Sequence, residues 1–444
     1  MVTLNYKRLA RQICDSLRMG RKPNPGIKKA EKDFGRNFVK KLLKKKTINP
    51  KAMSKKEQEK IQKLMDMKYG PLVYKSTSGK LKVKKEVGEV MSMSFVDVDE
   101  RVKKLAMAVR DEAWRRGCHV SVKSGNDADL RLYYKTVPED TLTEFPPFVE
   151  ARTSNIDATL SIGDSQDPEW SKGFEKRILL GAPTGQRLHQ IIDKKRIRWC
   201  LFGFPVKMSK RKYYLVPPET YERVYLASIK QTFNKETQKL CRHYYNALRG
   251  GNRVHITAKD GTDLALSIKS RPVLIADGLI DDWDMKRGDV GLNIPDGEAF
   301  LAPLEHSANG RIFFDYVNTR GFGFIRGGLW VTFKNGKVVE YHARDKKETQ
   351  KFTKFLNANT GEKDRIAELG IGTNKAARFI GTIVVDEKIF GSIHIAIGNN
   401  TGAYHGKNKA SSHLDMIKMM SGRGGNVYVD GKLIMRNGLP VGKT

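Results

Sequence analysis

Nine histidines are spread over 444 residues, and two of them sit where metal chemistry is possible. His394 lies in GSIHIAIG, residues 391–398. In an extended chain Ile393, Ile395 and Ile397 point to one face, and His394 shares the other with Ser392 and Ala396. Such an imidazole is either a satisfied core histidine or a ligand, and the glycine-rich NNTGAYHG that follows leaves space for a bound group. His413-Leu414-Asp415 spaces an imidazole and a carboxylate two apart, so an extended segment brings both to one side and within reach of one cation. A carboxylate can also bridge two divalent ions. The spacing alone is common by chance.

Two glutamates join these candidates. Glu298 follows the turn Ile294-Pro295-Asp296-Gly297, and Glu368 precedes Gly370-Ile371-Gly372, read as a second tight turn of low polarity. An unpaired anion there is costly, so each needs either a metal ion or one of the many lysines and arginines. His119, His189, His243 and His255 have no convincing acidic companion and are assigned to packing or surface.

The elements that must hold these residues follow from periodicity and punctuation. Val90–Val96 reads as a strand, Asp97 or Asp99 as a cap, and Val102, Leu105, Ala106, Val109 and Ala113 as one face of a helix that Gly117 ends. Cys118–Val122, Ile156–Ile162 and Arg198–Phe204 read as further strands, with helical sequence between Ser171 and Lys194. An α/β domain over 86–250 results. Beyond it, Asp260-Gly261, Asn335-Gly336 and Asp430-Gly431 sit between alternating segments and supply the positive φ that hairpin turns need. Residues 251–444 are therefore expected to form a β-rich catalytic domain, with helices near 345–357 and after 413.

Residues 1–85 are expected to be a basic helical extension. Leu9, Ile13 and Leu17, then Phe34, Phe38 and Leu42, then Ile61, Leu64 and Met65 mark three amphipathic helices, the third opened by a Ser54–Glu57 capping box. The formal charge is +33; residues 1–90 hold 26 Lys+Arg against 8 Asp+Glu, a net +18. Such a segment suits docking on a polyanion such as RNA or a ribosomal surface. No run of 18 apolar residues, no signal peptide and no CxxC pair are present, which points to a cytoplasmic protein rather than a disulfide scaffold or Cys-based zinc finger.

Taken together, NIPDGEAFLAPLE (293–305), IAELGIGTN (366–374), DEKIFGSIHIAIGNN (386–400), SSHLDMIKMM (411–420) and VYVDGKLIMRNG (427–438) resemble the thermophilic aminopeptidase T/aminopeptidase S family of two-metal exopeptidases. The resemblance implies five metal ligands at Glu298, Glu368, His394, His413 and Asp415, with Glu298 and Glu368 also carrying the catalytic role. It implies two divalent ions (Zn²⁺, Co²⁺ or Mn²⁺), peptide substrates and a homodimer. In such a site two cations about 3.5–4 Å apart lower the pKa of a shared water toward neutrality. One departure stands out: many members carry a tyrosine seven residues after the strand histidine, where this chain has Thr401, with Tyr404 nearby. Two other readings remain open. A ring-cleaving dioxygenase with one iron held by two His and one Asp is similar in fold, and a polyanion-binding protein with a secondary or inactive peptidase site would account for the charge.

Overall fold

The computed structural model describes residues 4–68, 70–319 and 321–442. Its first helix, α1 (Tyr6–Ser16), buries Leu9, Ala10, Ile13 and Cys14 in the core of the main body. The next unit has a core of its own, built from Ala30, Val39, Leu42, Ile48, Ile61, Leu64, Leu72 and Val73. It contains α2 (Gly26–Phe34), α3 (Arg36–Lys44), β1 (Thr47–Ile48), α4 (Lys55–Met65), β2 (Val73–Lys75) and β3 (Leu81–Val83). The strands pair antiparallel in the order β1-β3-β2. The capping box is present at the start of α4. The single helix expected across Phe34–Leu42 is instead two, because Gly35 adopts φ 88° and breaks the run.

This unit begins and ends at one place. Arg21–Pro23 pairs antiparallel with Glu86–Gly88, and Asn24 donates from its side-chain amide to the carbonyls of Pro71 and Lys84. Residues 24–85 thus leave and rejoin the body side by side.

The body starts with a parallel sheet of β4 (Val90–Val96), β5 (His119–Gly125), β6 (Ala158–Ile162), β7 (Arg198–Phe202) and β8 (Gly291–Ile294), in the order β8-β7-β6-β4-β5. Helix α5 (Glu100–Arg115), capped by Asp99, covers it with the predicted apolar face. The fifth strand comes from beyond residue 250.

The remainder is a sandwich of two antiparallel sheets over one apolar core. One sheet has eight strands; its turns at Asn335-Gly336 and Asp430-Gly431 have φ of 49° and 77°, and 49° and 82°. The other carries β9 (Glu298–Leu301), β10 (Ile366–Gly372), β11 (Ser392–Gly398) and β12 (His413–Met419) as adjacent strands. The helix expected near 345–357 forms over Lys346–Ala358, but the one expected after 413 is strand β12. Its middle five residues, Leu414–Lys418, are all buried, Asp415 and Lys418 included, so the polar positions do not mark a solvent face and the periodicity does not distinguish strand from helix. The turn expected at 370–372 is likewise absent: both glycines lie inside β10.

Candidate metal centre

Period-two alternation sorts these four strands. Ala299, Leu301, Leu369, Ile371, Ile393, Ile395, Ile397, Leu414 and Met416 enter the sandwich core. Glu298, Glu368, His394, His413 and Asp415 occupy the alternate positions and meet on the opposite face. The register aligns them: Glu368 and Asp415 both oppose Ala396, and His394 opposes Gly370. Small residues keep this face open. A Cβ on Gly370 would lie 2.0 Å from Nε2 of His394, so that glycine exists to admit the imidazole. On Gly372 it would lie 2.2 Å from the carbonyl oxygen of Ile389, so this glycine lets residues 388–389 cross over the sheet.

All five expected ligands converge. Nε2 of His394 stands 3.1 Å from Oε1 of Glu368 and 3.3 Å from Oε2 of Glu298. Nε2 of His413 stands 3.1 Å from Oε2 of Glu368 and 3.2 Å from Oδ1 of Asp415. Two potential ligand clusters result, Glu298–Glu368–His394 and Glu368–His413–Asp415, and Glu368 belongs to both. Its two oxygens face different imidazoles. Nδ1 of His413 lies 2.7 Å from the carbonyl oxygen of Asn399; a carbonyl only accepts, so Nδ1 carries the proton and Nε2 is left for the centre. Glu298 Oε2 and His394 Nδ1 are buried without a hydrogen-bond partner.

The electrostatics fit a cation. Burial pushes the Glu368 carboxyl up, but both imidazoles pull it below the usual carboxylate range. Burial opposes charge on His394, yet Glu368, Glu298 and Asp415 together raise its pKa to about 9. Each imidazole thus stands among carboxylates that favour a positive charge. Carboxylate and imidazole donors packed without intervening backbone partners match borderline divalent ions.

Sequence reasoning missed the neighbours of this centre. Lys388 is 1% exposed; its ammonium donates to Glu298 Oε1 at 2.5 Å and forms an ion pair with Glu387 Oε1 at 2.7 Å, with Asp296 Oδ1 3.9 Å away. Burial works against its charge, but those carboxylates hold its pKa well above the ordinary lysine value. The only signal was its apolar bracketing, Ile383-Val384-Val385 before and Ile389-Phe390 after, unusual for a surface lysine. His255, read as lacking an acidic companion, meets Asp263 across a hairpin at 2.8 Å; the pair is exposed and far in type from a ligand set.

The centre opens into a cavity of about 380 Å³ between this sheet and the parallel sheet. Asp164 and Gly203, just past β6 and β7, line its far wall, the place where ligands bind in parallel α/β sheets. Asp289, Asp296 and Glu387 add to its acidity, while Phe202, Phe300 and Ile383 supply apolar surface. Tyr404 also lines it; its ring stacks on His413 with centroids 5.0 Å apart and meets Phe300 edge-on at 5.8 Å. Thr401 is occupied within the loop, donating to Asn399 Oδ1 at 3.1 Å.

Gly370→Ala should separate the centre from the fold. The added methyl must displace His394, so metal affinity and activity are expected to fall at least about tenfold while the strands persist. Metal titration checks this, and wild-type metal content with wild-type kcat/KM would refute the spacing argument.

A buried carboxylate–imidazole centre of this kind, opening into an acidic cavity, marks a candidate metalloprotein. The family model described as thermophilic metalloprotease (M29) matches residues 80–439, and the chain belongs to that family. Among solved structures it is similar to wild-type AmpT from Thermus thermophilus, at 21% identity and TM-score 0.60, over 80% of this chain and 94% of that one. It is also similar to the 2,5-dihydroxypyridine dioxygenase of Pseudomonas putida KT2440, at 16% identity and TM-score 0.53, over 80% and 92%. These likenesses show the α/β fold. No curated protein sequence matches the chain. The family match excludes most of residues 1–85, since it starts at residue 80.

Proposed function

We propose that the protein is a metal-dependent aminopeptidase that hydrolyses the first peptide bond of peptides with two divalent ions, Zn²⁺, Co²⁺ or Mn²⁺. The observation that carries this reading is Glu368, whose two oxygens each face a different histidine and so can serve one ion apiece. Bound divalent ions would supply a water acidic enough to attack at neutral pH and would polarise the scissile carbonyl. Glu298 and His394 would hold one ion, His413 and Asp415 the other.

The chain's own groups do the rest. Asp164, Asp289 and Glu387 line the cavity, and burial raises their carboxyls to about 6, 7 and 7, so each can ionise beside the protonated α-amine of a peptide and hold its first residue at the centre. The enclosed volume suits one or two residues and excludes an internal stretch of chain. Tyr404 is a neutral donor, because burial and the nearby Glu368 and Asp415 carboxylates hold its phenol well above the usual value. It is the group suited to donating a hydrogen bond to charge developing on the substrate oxygen. The tyrosine lost at Thr401 is thereby replaced from three residues further along. As in the family it resembles, a homodimer is proposed, and sedimentation tests it.

Metal analysis combined with an aminoacyl-anilide assay tests the reading. Close to two divalent ions per chain and metal-dependent release of the anilide are expected. One iron per chain without hydrolysis would sink the assignment and favour the dioxygenase reading.

Tyr404→Phe keeps the ring on His413 but removes the hydroxyl. We expect kcat to fall about 10²-fold with little change in KM. An unchanged kcat would show that Tyr404 only packs.

A further inference from the structure

Residues 24–85 carry a net +15, from 20 Lys+Arg and 5 Asp+Glu, and none of them lines the cavity at the candidate metal centre. Nor is this charge neutralised internally. Lys68 aside, none of these cations closes an ion pair among the described residues. The body behaves otherwise: Arg101 pairs with Asp99 and Glu222, Arg116 with Asp15 and Glu112, and Arg198 with Glu89.

Helix α3 concentrates the charge. Val39 and Leu42 turn inward, and Phe38 and Leu43 are half-buried. The solvent face holds Arg36, Asn37, Lys40, Lys41 and Lys44, all exposed and without one acidic residue, and Lys45 and Lys46 extend it. At 1.5 Å per residue these cations span roughly 12 Å along the helix, enough to face several backbone phosphates of a duplex. Helix α4 and the β2–β3 hairpin add exposed Lys55, Lys56, Lys63, Lys75 and Lys80.

Three other occupants are disfavoured by the same face. A basic amphipathic helix binds membranes by inserting its apolar side, but Val39 and Leu42 are already spent in the unit's own core. Single-stranded nucleic acid is held by exposed aromatic platforms, and among the described residues here Tyr74 is the one exposed large hydrophobic. An acidic protein would also bury apolar surface at the centre of its contact, and the solvent face of α3 offers none, because Val39 and Leu42 turn inward.

We propose that residues 24–85 are a docking module for double-helical nucleic acid, held through phosphates by the solvent face of α3. Affinity comes from displaced counterions and is independent of base sequence. This inference does not rest on the peptidase reading.

The test uses the full chain and labelled duplexes of RNA and of DNA, alongside single strands, anionic phosphatidylserine vesicles and polyglutamate. Duplex binding should weaken linearly on a log–log salt plot. In the triple variant Lys40→Glu, Lys41→Glu, Lys44→Glu the slope should shrink by about 3 and affinity fall at least about tenfold. The far-UV circular dichroism spectrum and the melting temperature should be unchanged, reporting an intact fold. A second variant, with residues 24–85 replaced by a short Gly-Ser turn between Pro23 and Glu86, should lose binding altogether and covers the case in which the triple variant misfolds. Preference for RNA or DNA identifies the duplex. The proposal is overturned if both variants bind as wild type, if no duplex binds at low salt, or if vesicles, single strands or polyglutamate bind as tightly.

Discussion

Glu368→Gln should abolish hydrolysis and take both ions with it. The substitution changes size hardly at all, so packing in β10 is preserved, but an amide offers one weak oxygen where the carboxylate presents two charged ones. Those oxygens lie 3.1 Å from His394 and 3.1 Å from His413. If each serves an ion, neither cluster keeps its full set of ligands. Lost stabilisation of about 4 kcal/mol corresponds to a drop of about a thousandfold in kcat/KM. Metal content should fall from near two toward zero rather than to one. Asp415→Asn touches a single cluster and should leave the Glu298–Glu368–His394 set able to bind. A Glu368→Gln protein that retains two ions and wild-type turnover would remove the basis of the two-ion reading.

The second large effect concerns stability. Lys388→Met should destabilise the metal-free protein by about 3–5 kcal/mol, the usual cost of removing one partner from a buried ion pair. Methionine fills nearly the same volume, so the loss is electrostatic. Glu298 and Glu387, each within 2.7 Å of the ammonium, would be left facing one another below the surface. Added divalent ions should recover part of the loss, because an ion on Glu298 supplies positive charge at almost the same place. Urea unfolding with and without metal provides the measurement. Equal midpoints for variant and wild type would mean that Glu387 and Glu298 are neutralised some other way.

The two predictions divide what the sequence disclosed from what it did not. Glu298, Glu368, His394, His413 and Asp415 could be named because each lies in a motif of the family's order and spacing, and strand alternation puts them on one face. Their surroundings were harder to see. Lys388 lies in Asp386-Glu387-Lys388, which reads as a polar surface turn, and only the crossing over Gly372 takes it inside. The glycines of β10 read in sequence as turn residues, but they are strand residues that make space for His394 and for a crossing chain. Strand β12 was mistaken for a helix because burial on both sides erased its alternation. The hairpin dipeptides were legible, since positive φ is a local demand. Gly35 was not, since the apolar spacing of Phe34, Phe38 and Leu42 continues across the break. Local chemistry was readable wherever local geometry decided it. Tertiary contacts hid the rest.

The antiparallel pairing of Arg21–Pro23 with Glu86–Gly88 bears on what the chain can tolerate between them. Helix α1 lies upstream of the basic module yet packs into the body, so the module is flanked on both sides by chain that belongs to the body's core. A folded unit whose two ends already meet adds almost no loop-closure entropy to its host. It can be gained, lost or exchanged at a hairpin without disturbing the register on either side.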